Sequence, residues 1–229
     1  MPLTIDPRQT AVIVVDMQND FGSERGMFAR AGIDISRIQA AVPPTARVLD
    51  AARRVGMPVV NLKMAFTSDL SNAGGPTAPN RIIHDRLRVG DQVTAPDGRE
   101  SRVLIENTWN TDILDELAPE PGDIIVSKHR FSGFFETELD DVLKRLGVTT
   151  LVFTGCTTSV CVESTVRDAF FRDYCCLVLA DCTAEPVGDG LPRSNHEASL
   201  LLFEVMFGAV SDSTTFVQAL TNQPLATLV

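Results

Sequence analysis

At 229 residues, 44% of them hydrophobic and 22% charged, the chain has the make-up of an ordinary folded protein, which excludes a disordered, collagen-like or coiled-coil polypeptide. Its formal charge is −10, from 20 basic and 30 acidic side chains with no Lys/Arg cluster, which argues against nucleic acid, since a polyanion is held by a basic face. No apolar stretch approaches the roughly 20 residues of a bilayer span, so no membrane partner is expected. The first six residues lack the basic-then-apolar pattern of a secretory leader. Five cysteines crowd between Cys156 and Cys182. That odd, clustered set makes a poor disulfide framework and points to a reducing, cytoplasmic setting.

In chain order, Ala11-Val12-Ile13-Val14-Val15 reads as a strand buried on both faces, being β-branched without alternation. A helix follows, with Pro43 and Pro44 in its first turn and its end before Gly56. Residues 58–62 form a second strand. The stretch 63–110 is long and rich in Gly and Pro, with Gly74-Gly75-Pro76 and Pro96-Asp97-Gly98, and is expected to be a covering loop or arm with helix around 82–88. Further strands fall at 123–126, 150–153 and 175–180, with a short one near Ala209 and Val210. Helices are expected at 137–146, 162–171, 194–206 and 213–220. Strand–helix alternation with buried strands predicts an α/β fold, a three-layer αβα sandwich on a parallel sheet, as one domain over 1–229.

Ligands of such sheets bind beyond the carboxyl ends of the strands, and three reactive side chains fall there. Asp16 ends the first strand, Lys128 follows the third, and Cys161 follows the fourth and opens the next helix. Taken singly, such an Asp more often caps a turn, such a Lys is solvated and such a Cys is packed. Together they supply a base, a cation and a nucleophile. The helix dipole and the Lys charge favour a thiolate, and the turn from Gly155 to Cys161 aims backbone N–H groups at one spot, as in an oxyanion hole. A redox or sensor pair of Cys156 and Cys161, a binding homologue without activity, and a lyase are the competing readings. The five-residue spacing of the two thiols suits no common dithiol motif.

The chain resembles the isochorismatase-like cysteine hydrolases over nearly its whole length. The resemblance is carried by Ala11–Phe21 (AVIVVDMQNDF), by Lys128 and by Thr157–Ala169 (TTSVCVESTVRDA). It implies six parallel strands, a homo-oligomer (dimer or tetramer), no cofactor, and a triad of Asp16, Lys128 and Cys161. It also implies a non-proline cis peptide at Cys156–Thr157, directing the N–H groups of Thr157 and Cys161 at an oxyanion. Nicotinamidases of this family carry an Asp-x-His-x-His metal site after the second strand. Residues 61–67 here hold no histidine, and His84, His129 and His196 are scattered, so no metal is expected. Residues 73–80, 121–125 and 131–135 are most similar to ureidoacrylate amidohydrolases and biuret or triuret hydrolases. The similarity implies cleavage of a small ureido or carbamoyl amide through a thioester, with ammonia released; N-carbamoyl amino acids and other small amides are the alternative substrates. Phe131 stands where ureidoacrylate enzymes tend to have Tyr, and Phe203 where a biuret hydrolase would have Gln. Phe21, Asn80, Arg130 and Phe131 are the substrate-binding candidates. Gln18 and Asn19 are expected to brace the first loop, and Cys156, Cys175, Cys176 and Cys182 to be buried and inert.

Overall fold

A computed structural model describes residues 5–188, 192 and 194–221. The β-branched run forms strand β1 (Thr10–Val15), buried throughout. Val12 and Val14 face one core, while Ala11, Ile13 and Val15 face another, so its unbroken hydrophobicity reflects a strand covered on both sides. Short helices α1 (Asn19–Gly22) and α2 (Met27–Arg30) lead into the long α3 (Ser36–Arg54). Then come β2 (Val59–Met64), α4 (Pro79–Arg86), the strands β3 (Gln92–Thr94) and β4 (Glu100–Arg102), and β5 (Ile124–Lys128). The remainder is α5 (Leu139–Leu146), β6 (Thr150–Cys156), α6 (Glu163–Phe170), β7 (Cys175–Ala184), α7 (Asn195–Leu202), β8 (Ala209–Ser211) and α8 (Ser213–Thr221).

Six strands make one all-parallel sheet in the order β5-β2-β1-β6-β7-β8, as expected. Side chains of α3 and α8 pack in the core on one face, and those of α5 and α6 in the core on the other. The strand order reverses between β1 and β6, the crevice where ligands bind in open α/β sheets.

Three local expectations need correction. Helix α3 starts at Ser36, not at the prolines, and carries Pro43 and Pro44 inside it. The carbonyls those prolines leave without N–H donors belong to Gln39 and Ala40, which are exposed, so water can serve them. The helix expected at 82–88 runs three residues earlier, because Pro79 occupies its first position, where a missing N–H costs nothing. The 63–110 segment is also more than a loop. It folds α4 and a β3–β4 hairpin turned at Pro96-Asp97-Gly98, and buries Phe66, Val103, Leu104 and Ile105 against the α3-side core.

Candidate active site

The strand register brings the three reactive side chains to one edge. Val15 pairs with Leu62 and with Gly155, and Met64 with Lys128, so β1, β2, β5 and β6 finish together. Asp16 leaves β1 with φ 52°, a left-handed turn that Asp tolerates better than most residues. β6 approaches β1 so closely that a Cβ on Gly155 (φ +109°) would sit 2.0 Å from the Val15 carbonyl oxygen. Beyond it the Cys156–Thr157 peptide is cis, as the resemblance implies.

Asp16 and Lys128 are both 1% exposed. Lys128 lies two strands from β1, roughly 9–10 Å away, and its long stem crosses the end of β2. Its Nζ lies 2.7 Å from Asp16 Oδ2 and donates to Arg130 O at 3.2 Å and Met64 Sδ at 3.6 Å. Neither Asp16 oxygen receives a well-aligned hydrogen bond, so lone pairs remain for a proton. Burial lifts the Asp16 pKa above the ordinary carboxylate value, and Lys128 offsets only part of that rise. For Lys128, burial works against the charge, but Asp16 and Cys161 outweigh it and leave its pKa raised.

Cys161 sits in a widened helical turn, Thr158–Val162, that runs into α6. Its thiol is close enough to Asp16 and Lys128 to shift both. Burial pushes the Cys161 pKa far up, and Lys128 pulls it only partly back. The thiol thus lies beside a carboxylate whose own pKa burial also raises. Thr157 and Cys161 are each 7% exposed, so this edge still reaches the surface.

The substrate-binding candidates divide. Phe21 belongs to the α3-side core, its ring 5.0 Å from Phe28. Asn80 Nδ2 donates to Ala73 O, which fastens the loop before α4. Arg130 Nη1 donates to Asn72 O and His129 O, tying that loop to the end of β5. Phe131 is half-buried, its ring 5.9 Å from the His84 ring. Phe203 is fully buried in the core beside α5 and α6, so position 203 offers no polar group to a ligand. Cys156, Cys176 and Cys182 are buried as expected, but Cys175, at the outer start of β7, is exposed.

The bracing role of the first loop is borne out. Gln18 Nε2 donates to Met64 O and Thr111 O, its Oε1 accepts the Met64 N–H, and Asn19 Nδ2 donates to Trp109 O. Three residues near the site were given no role in the sequence reading. Asp20 is wholly buried and accepts hydrogen bonds from Met27 N, Leu104 N and Asn110 Nδ2. His84 packs 4.9 Å from the Phe66 ring and its Nδ1 donates to Asn80 O at 2.6 Å; burial lowers its pKa, helped by Arg130 and Lys128. Glu185 stands one residue beyond β7. The strand-end rule that singled out Asp16 applies to it too, but the predicted strand stopped five residues short.

The profile of the isochorismatase domain matches residues 10–215. A ureidoacrylate amidohydrolase, RutB, of Methylobacterium radiotolerans is 42% identical over 219 residues, which are 96% of this chain and 82% of that protein. Among solved structures, a cysteine hydrolase from Pseudomonas syringae pv. phaseolicola superposes with a TM-score of 0.79 at 28% identity, covering 96% of this chain and 95% of its own. An N-carbamoylsarcosine amidase from Thermoplasma acidophilum does so with 0.65 at 27% identity, over 90% and 96%.

Proposed function

Because the chain belongs to the isochorismatase family and is a hydrolase of it, we propose that it cleaves a C–N bond of a small ureido or carbamoyl amide, with Cys161 as nucleophile. The observation that carries this reading is the buried Asp16–Lys128 pair, 2.7 Å apart, with the Cys161 thiol beside both. Asp16 accepts the thiol proton as the sulfur attacks the carbonyl carbon. The N–H groups of Thr157 and Cys161 hold the resulting oxyanion, each donor worth about 3–4 kcal/mol in comparable acyl-transfer sites. The C–N bond then breaks, Asp16 returns the proton to the leaving nitrogen, and ammonia departs from a thioester. Water, deprotonated by Asp16, attacks that thioester and restores the thiol. Lys128 keeps Asp16 ionised in a setting that otherwise favours its neutral form.

The 42% identical ureidoacrylate amidohydrolase supports a ureido substrate. The likeness to an N-carbamoylsarcosine amidase supports a second reading, an N-carbamoyl amino acid. Both share the carbamoyl group this chemistry needs. The test is ammonia release from ureidoacrylate, biuret, triuret, N-carbamoyl amino acids and nicotinamide, by the wild type and by Cys161→Ser. Turnover of one carbamoyl compound by the wild type, and none by a folded C161S, is expected. An active serine variant overturns the nucleophile assignment.

A further inference from the structure

Glu185 is 1% exposed, and its carboxylate faces the turn that carries Cys161. Its Oε2 accepts the backbone N–H of Ser159 at 3.0 Å and the Ser159 hydroxyl at 2.5 Å, while its Oε1 accepts the Val187 N–H at 2.9 Å. Ser159 precedes Cys161 by two residues within the turn Thr158–Val162. The turn closes by a bond from Val162 N to Thr157 O at 3.2 Å, a wider ring than an α-helical one. The first N–H groups of a helical run have no partner within it. Here a buried carboxylate takes one of them, and charge-assisted hydrogen bonds are stronger than neutral ones. On the neighbouring residue, Thr158 Oγ1 lies 2.9 Å from His196 Nδ1. The turn is thus held from the end of β7 and from α7, neither of which supplies a triad residue.

We propose that Glu185 is a positioning residue, which through Ser159 holds the Cys161 thiol in register with Asp16 and Lys128. The proposal rests on the reading of Cys161 as nucleophile. Both hydrogens of Ser159 converge on one carboxylate oxygen, which fixes the turn in rotation as well as in position. A displacement of about 1 Å at a reacting centre costs roughly 10²-fold in rate, so a loosened turn acts on kcat before it acts on substrate affinity. A glutamine in place of Glu185 would still present an oxygen to the Ser159 N–H, whereas an alanine would present nothing.

The test compares Glu185→Ala, Glu185→Gln, Ser159→Ala and the double variant E185A/S159A. Steady-state kinetics are read alongside backbone hydrogen exchange, all at a temperature where each variant is folded by circular dichroism. E185A is expected to lose at least tenfold in kcat with KM within threefold, and to speed exchange of the Ser159–Val162 amides at least tenfold while β1 and β6 amides hold. E185Q should recover most of both, and the double variant should be no slower than E185A. Undiminished kcat and unchanged exchange in E185A would overturn the proposal, as would faster exchange spread evenly over the sheet, the mark of a purely structural residue. Exchange is read without substrate. A failed substrate panel with local loosening in E185A therefore counts against the ureido reading, whereas an active wild type with an indifferent E185A counts against the clamp.

Discussion

Asp16 combines burial, a strained turn and an ammonium at 2.7 Å, and its raised pKa carries a signed consequence. If the ionised carboxylate accepts the thiol proton, kcat/KM falls as pH drops through a value above that of an exposed Asp. A pH–rate profile should place the acid limb higher than the ordinary carboxylate value of about 4. Lys128→Met removes the cation that offsets burial, so the limb should move further up and the rate at neutral pH should fall by at least about 10²-fold, the scale of one acid–base contribution. A limb unmoved by K128M would sever the link between the two groups. Asn61 supplies an independent residue-level test. It lies mid-strand in β2, 1% exposed, and neither its Nδ2 nor its Oδ1 has a partner among the described residues. Leaving a buried polar group unpaired costs about 1–3 kcal/mol, so Asn61→Val is expected to raise the urea midpoint. A lower midpoint would show that the amide is paired in solution.

The elements matter here through their ends. The loop after β1 does two jobs at once: it presents Asp16 to the site, and it fastens the 101–111 region to the sheet through Gln18, Asn19 and Asp20. Burial lifts the Asp20 pKa to about 6 against its three donors. The folded protein thus holds this proton more tightly than the unfolded chain, whose carboxyl titrates near 4. The resulting stabilisation is complete below about pH 4 and is lost as pH rises through 6, a change of roughly 3 kcal/mol. Unfolding of wild type and Asp20→Asn between pH 4.5 and 7.5 should show the wild type losing ground as pH rises through about 6 and levelling off above it; a difference that grows in the opposite direction refutes the assignment. At the end of β6, Gly155 admits the close approach to Val15 that no side chain permits. Gly155→Ala should therefore cost at least about 3 kcal/mol, beyond the usual range for overpacking because the clash is with backbone, and should be read as a lowered thermal midpoint.

On the scale of the whole molecule, the parallel sheet was largely legible in the residues, because strands covered on both faces must be continuously apolar and such runs alternate with helical patterns; the strand order came only from the fold. Asp16, Lys128 and Cys161 were legible for a related reason: a strand that is buried along its length can place a reactive side chain only at its end. Where helices begin was less so, as Pro43 and Pro44 look like a start and are instead interior residues whose orphaned carbonyls face solvent. The local pattern brings out the influences that favour a thiolate, the helix start and Lys128, whereas the burial that raises the Cys161 pKa comes from the fold. Phe21 packs against Phe28 and Asn80 fastens its loop to Ala73, each through a partner seven residues away. Sequence alone determined the layers of the fold and that Asp16, Lys128 and Cys161 fall at one edge of the sheet, all consequences of local pattern and strand direction. Only tertiary structure decided how burial shifts the pKa of each of those side chains, and which residues after β7 and in the 63–110 segment pack around them, because desolvation and long-range hydrogen bonds depend on what the folded chain places beside each group.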